Sequence, residues 1–328
     1  MTTRKLILQD PKENEKFEQT CQRKVDKSLT LIEEQGFLEY TGEYGPEITT
    51  FIPFVAWLKQ EGYLSGKKIV TYSGMKPYYF FLADSEYEEK AESRKYVPEP
   101  ERYWPNNQTG TARACRWHRY PDFREHYAKS DLTFDKPVIF IQNKFTVEWD
   151  IGPVHFLPIA PLDELLHLTK NRFTIVYSRP RSSYKGYSSD RNHPCEYPDR
   201  RFTDRHSHVI DFEKECERQG RNYNQFKLEI LARSQIYVGV QGGSSHVLAC
   251  FKNSVLLLLH QEHGNGQEYP FAYANGPYKY LSDPAPTLLV ARNNKDFAEA
   301  ARCIGRTKVD DTGIHVPFTR KIITKLRM

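Results

Sequence analysis

Hydrophobic and polar positions along the first 35 residues form a highly charged stretch with only a weak amphipathic repeat, and the short apolar segment 36–40 follows it. That opening stretch predicts a helix lying over the first domain. Residues 36–40 read as a short strand and 41–45 as a turn. Pro46 suits the first position of a helix, where its missing N–H is not needed. Ile48, Phe51, Ile52, Phe54, Val55 and Leu58 then recur at helical spacing as far as Gly62. A second strand covers 68–72 and ends at Ser73-Gly74. Residues 84–130 are polar and broken by Pro98, Pro100, Pro105 and Pro121, which predicts an irregular connection with short helices.

A new unit opens after Lys136-Pro137 with the run Val138-Ile139-Phe140-Ile141-Gln142, a pattern expected of a strand buried on both faces. A helix over 162–169 and a strand over 173–177 follow, then a long polar loop over 179–208, rich in Arg, Ser and Tyr. Beyond it the pattern gives a helix over 224–232, a strand over 236–240, a Gly-Gly turn, a helix over 244–251 and a strand over 254–260. Strands alternating with helices twice over predict an α/β protein of two doubly wound, Rossmann-like domains, residues 1–135 and 136–328.

Composition narrows the chemistry. The formal charge of +5, from 47 basic and 42 acidic residues, is too mild for a dedicated nucleic-acid binder but suits an anionic ligand such as a nucleotide diphosphate. Aromatic residues make up 13%, and Tyr-rich surfaces line carbohydrate sites as well as filling cores. The six cysteines are scattered with no metal-ligand spacing, as expected of free thiols in a reducing compartment. No run approaches the ~18 apolar residues of a membrane span. The chain reads as a soluble, cytoplasmic protein with no integral membrane segment.

The strongest motif is Gln241-Gly242-Gly243-Ser244-Ser245, joining a buried strand to a helix. Two glycines let the backbone turn sharply and approach a ligand closely. The serines can cap the helix, and N–H groups at a helix start favour a phosphate. An ordinary tight turn would look the same. Downstream, Glu268 in a Gly-rich loop can accept both hydroxyls of a ribose. Asn143 and Lys144 follow the first strand of the second domain, at the strand end where open α/β sheets collect ligands. Lys144 offers a compact cation there and Asn143 an amide.

In the first domain, Gly42-Glu43-Tyr44-Gly45-Pro46-Glu47 occupies the matching strand end. Glu43, in the loop itself, is the candidate general base. Glu47 falls in the first helical turn, where the dipole stabilises its charge and lowers its basicity. Tyr44 and Trp117 are candidates for stacking on an acceptor sugar. Arginines from Arg172 to Arg205 concentrate around one loop, where they can neutralise a diphosphate or an anionic acceptor. No P-loop motif is present, and no acidic pair stands where a metal-binding DxD would. Neither a metal nor a cofactor is expected.

Taken together, the segments 42–47 (GEYGPE), 143–149 (NKFTVEW), 175–180 (IVYSRP) and 240–244 (VQGGS), with Gly266-Gln267-Glu268, resemble a GT-B-like glycosyltransferase family. Its members belong largely to bacterial surface-polysaccharide pathways, and large viruses carry related enzymes. The resemblance spans about residues 40–270 and implies two Rossmann-like domains facing across a cleft. It further implies donor-side roles for Asn143, Lys144, Gly242, Gly243, Ser244 and Glu268, and an acceptor-side role for Glu43 or Glu47. The expected partners are a UDP- or GDP-linked sugar and a glycan acceptor, with no nucleic acid.

Two other readings compete. Ser244, Asp283 and His315 occur in the chain order of an α/β-hydrolase triad, although His246 replaces the final Gly of the nucleophile elbow. A glycan- or RNA-binding protein using the Arg/Tyr loop is the non-catalytic alternative.

Overall fold

Helix α1 (Pro11–Gln35) forms because Cys21, Val25, Ser28 and Ile32 return every three or four residues, and all four are buried. It leads into a three-stranded parallel sheet of order β1-β2-β3, made of β1 (Phe37–Glu39), β2 (Lys68–Tyr72) and β3 (Tyr87–Lys90). Between β1 and β2, the turns α2 (Tyr44–Pro46), a π-wound segment Glu47–Phe51 and α3 (Ile52–Gln60) follow one another directly. Strand β3 lies inside the stretch expected to be irregular. Its sequence, Tyr-Glu-Glu-Lys, hides it because an edge strand can carry its charges outward. Helix α4 (Phe123–Tyr127), capped by the Asp122 carboxylate, closes this half.

The computed structural model describes residues 11–92, 94, 97–98, 101–105, 115–148, 151–154, 156–179, 193–194, 196–240, 242–259, 276–310, 313–315 and 317. Among these no helix is long and apolar enough to cross a membrane.

The second half runs β4 (Val138–Gln142), β5 (Thr146–Glu148), β6 (Ile151–Val154), α5 (Ile159–Thr169), β7 (Thr174–Ser178), β8 (His193–Pro194), α6 (Arg200–Arg205) and β9 (Val209–Asp211). It continues through α7 (Phe212–Gln219), α8 (Tyr223–Arg233), β10 (Ser234–Val240), α9 (Gly243–Ala249), β11 (Val255–Leu259), β12 (Thr287–Ala291) and α10 (Asn294–Gly305), then β13 (Lys308–Asp310) and β14 (Gly313–His315). Six of these strands form one parallel sheet of order β12-β11-β10-β4-β7-β9. Numbered along the chain, this is the order 3-2-1-4-5-6 of a Rossmann sheet, with its switch point between β4 and β10. Strand β9 with α7, and β12 with α10, complete the sheet beyond what the sequence pattern predicted. Strands β5, β6 and β8 make a small antiparallel sheet beside it.

Alternate residues of each central strand face opposite layers. Ile139 and Ile141 pack with Leu162, Leu165 and Leu166 of α5 and with Phe297 and Ile304 of α10. Val138 and Phe140 face the other way, toward Phe212, Phe226 and Leu248, and this apolar cluster continues without a break into Leu38, Phe54 and Trp104 of the first half. The two sheets therefore share a core on one side.

A buried ion pair fixes the loop between β1 and α3. Glu47 has no exposed side-chain surface, and its carboxylate accepts from Arg94 (Nη2, 2.5 Å), Tyr79 (Oη, 2.8 Å) and Thr71. The Arg94 guanidinium also donates to the Gly42 carbonyl (3.3 Å) and lies over the Tyr72 ring. Arg94→Met would leave that carboxylate buried without its cation and should cost about 3–5 kcal/mol in urea denaturation. Lys68→Met, from the half-exposed Lys68–Glu88 pair, should cost less than about 1 kcal/mol. Similar small losses for both variants would contradict an anchoring role for Arg94.

Candidate functional site

Open α/β sheets bind ligands at the carboxyl ends of the strands that flank the switch point. Here those ends carry Asn143-Lys144 after β4 and Gly242-Gly243 after β10. Gly242 holds φ +136° and ψ 178°, a backbone conformation that side chains exclude. A Cβ there would lie 2.9 Å from Lys144 Nζ, so the ammonium sits directly over the bare glycine. The turn is also tied to itself, because Ser245 donates to the Gly242 carbonyl through both its backbone N–H (3.0 Å) and its Oγ (2.7 Å).

The loop of the first half reaches this same turn. A Cβ on Gly243 would meet the Tyr44 ring at 3.0 Å and the Gly45 nitrogen at 3.4 Å. A Cβ on Gly45 would meet the His246 ring at 3.1 Å. The two glycines therefore let the loops pack closely, since a Cβ on either would make a neighbouring ring shift, which gives Gly243 a steric partner within the protein itself. A hydrogen-bond chain steadies the contact: Tyr44 Oη donates to Tyr78 Oη (2.7 Å), and Tyr78 donates to Asn224 Oδ1 (3.4 Å). Asn224 Nδ2 donates in turn to the Gly74 carbonyl (2.7 Å).

His246 lies beneath this contact, buried, with Nδ1 2.8 Å from Tyr278 Oη. Tyr278 Oη also lies 2.8 Å from Ser245 Oγ, so a chain of short polar contacts links His246 Nδ1 through Tyr278 and Ser245 to the Gly242 carbonyl. Burial, with the Lys144 charge adding to it, depresses the imidazole to about 3 and keeps it neutral at physiological pH.

The other predicted residues fall into distinct places. Asn143 is buried, and its Oδ1 accepts from the backbone N–H of Lys144 (2.9 Å) and of Leu157 (2.8 Å). Its Nδ2 donates to Tyr177, which in turn donates to Asp199, the partner of the buried Arg179. Asn143 thus shapes the loop that presents Lys144, in place of the direct ligand contact expected of its amide. Glu47, expected as an alternative base, is enclosed by Arg94, Thr71 and Tyr79 with no exposed surface, and so anchors the loop. Trp117, expected to stack on a sugar, is buried in the core of the first half with Arg116 over its ring, away from a ligand surface. Glu43 is half-buried, and its carbonyl accepts from Tyr40 Oη (2.5 Å), which holds the loop in place.

Ser244 belongs to the first turn of α9 with no left-handed strain, and the one non-glycine residue of positive φ among those described is Asn253. The strained turn of a nucleophile elbow is therefore lacking at Ser244. Asp283 is exposed, and the His315 side chain lies outside the described residues. So do Gln241 and Glu268. Among the described residues, no group of three or more His, Cys, Asp or Glu is placed to hold a metal ion. Tyr278 carried no sequence signal, since its role arises only when a distant one-turn helix packs on α9.

No known protein family, curated protein or solved structure matches this chain.

The neutral His246 gives a pH test. A base whose folded-state pKa is depressed contributes stability that is present above its unfolded value near 6.5 and lost as pH falls toward about 3. Between pH 7 and pH 5 the loss from this one group should be about 2 kcal/mol. Urea unfolding of wild type and His246→Gln at both pH values should show that much less pH dependence in the variant. Parallel pH profiles would mean that His246 is not held neutral.

Proposed function

We propose that this protein is a GT-B-type glycosyltransferase that moves a sugar from a nucleotide diphosphate to a glycan acceptor with inversion. The observation that carries the reading is the meeting of Gly42–Glu47 loop residues with the Gly242–Ser245 turn and Lys144 at the switch point of a Rossmann sheet. In such a site one half supplies charge and backbone donors to a diphosphate, and the other supplies a carboxylate beside the anomeric carbon.

In this reading Lys144 and the N–H groups after Gly242 stabilise the departing diphosphate, with Ser244 and Ser245 at the start of α9 beside it. Gln241 and Glu268 grip the nucleoside. Glu43 takes the proton of the acceptor hydroxyl as its oxygen bonds to the anomeric carbon and the bond to the diphosphate oxygen breaks. The electron pair leaves with the diphosphate, so charge develops where the Lys144 cation already stands. Tyr44 offers a ring to the acceptor beside Glu43. Electrostatic stabilisation by fixed cations and N–H donors requires no divalent metal in this scheme.

Glu43→Gln keeps the shape of the side chain but removes the base. Turnover should fall by about 10²–10⁴-fold while donor affinity stays near the wild-type value. NMR of the product should show an anomeric configuration opposite to that of the donor. A variant with near-normal turnover, or a retained configuration, would remove Glu43 from the role.

A further inference from the structure

A second polar cluster lies on the side of the large sheet that faces the first half. Gln142 ends β4 and is 2% exposed, yet its Oε1 has no hydrogen-bond partner among the described residues. Its Nε2 makes only long contacts, to the carbonyls of Asn143 (3.3 Å) and Ser178 (3.5 Å). Ser178 stands opposite Gln142 in the β4–β7 register, and its Oγ donates to Glu213 Oε1 (2.8 Å). Tyr223 Oη donates to the same oxygen (3.2 Å), and the Arg179 N–H donates to Oε2 (3.2 Å).

Lys227 follows Tyr223 by one turn of α8 and is also 2% exposed. Its ammonium makes no hydrogen bond or ion pair with any described residue, and Glu213 acts on it only through space. Helical side chains lean toward the helix N-terminus, so Lys227 leans toward Tyr223 and Asn224. That end of α8 is tied to Glu213 of α7 by Tyr223 and to the first half by Asn224. Burial draws Lys227 down to about 8 and pushes Glu213 up to about 7, so both groups lack the solvation that would otherwise support their charge.

Gln142 and Lys227 therefore both border the Glu213 cluster, Gln142 through Ser178 opposite it and Lys227 through the carboxylate's charge. A cation that can only donate and an amide oxygen that can only accept are together satisfied by a group that does both. A hydroxyl does so. An anion would satisfy Lys227 but would face the Gln142 oxygen and the Glu213 carboxylate. We propose that Gln142, Lys227 and Glu213 form a subsite that binds hydroxyl groups of the transferred sugar, two residues along the chain from the Lys144 diphosphate contact. This assignment rests on the transferase reading and adds the group that distinguishes a nucleotide sugar from its nucleotide.

The test compares UDP- and GDP-hexoses with UDP and GDP on the full chain, using wild type, Lys227→Met and Gln142→Leu. Each variant should bind the nucleotide sugars roughly tenfold more weakly, or worse, while affinity for UDP and GDP stays unchanged. Without ligand, Lys227→Met should unfold at the same temperature as wild type or higher, since an unpaired buried ammonium has been removed. Equal loss for sugar and diphosphate forms, or a marked fall in the ligand-free midpoint, would show instead that Lys227 props the fold. Normal nucleotide binding with no loss for nucleotide sugars would overturn the subsite alone. If wild type binds no nucleotide or nucleotide sugar at all, the transferase reading fails and the subsite falls with it.

Discussion

Gly45 and Gly243 come from loops almost two hundred positions apart, and the loops approach so closely that a Cβ on either glycine would crowd the Tyr44 or His246 ring at 3.0–3.1 Å. Everything distinctive about the site depends on that approach. A methyl group on either glycine would press on Tyr44, the Gly45 backbone or His246, and packed interiors give little at such contacts. Because the loops can close so tightly, Tyr44, Lys144 and the start of α9 are gathered at one switch point, and Glu43 stands one residue before Tyr44. The same closeness lets one apolar cluster serve both halves, from Leu38 and Phe54 to Phe140 and Leu248.

Buried polar groups then hold each loop in register. Arg94, held by Glu47, donates to the Gly42 carbonyl, and Asn143 bonds the backbone on either side of the hairpin after β4. Ser245, Tyr278 and His246 tie the Gly242 carbonyl into the interior of the second half. In a low dielectric such bonds are costly to break, so the loops are positioned before any ligand arrives. Preorganised donors and cations of this kind are what electrostatic catalysis requires.

Much of this was legible in the sequence because its cause is local. The continuous apolar run of β4 and the Gly-Gly turn after β10 announce a buried strand and a sharp β-α junction by composition alone. The charged edge strand β3 was hidden because its outward side chains read as loop. Helix α7 was missed because only a few of its residues, Phe212 and Cys216 among them, meet the core. Glu47 and Trp117 were assigned by chemistry that their residue types allow, yet long-range contacts bury both. Nothing in the sequence marks Lys227 as buried, although packing of α8 leaves it 2% exposed. Burial of polar groups is a tertiary property, so a single sequence carries little sign of it.

The central claim is that the switch point binds a diphosphate through Lys144, which lies over the bare face of Gly242. Calorimetric titration of UDP and GDP into wild type and Lys144→Met tests it most directly. The account predicts that wild type binds one of these nucleotides, and that the variant, still folded, binds it at least about tenfold more weakly through loss of a charge-assisted contact. Equal affinity in the two proteins, or no binding of either nucleotide to wild type, would contradict it.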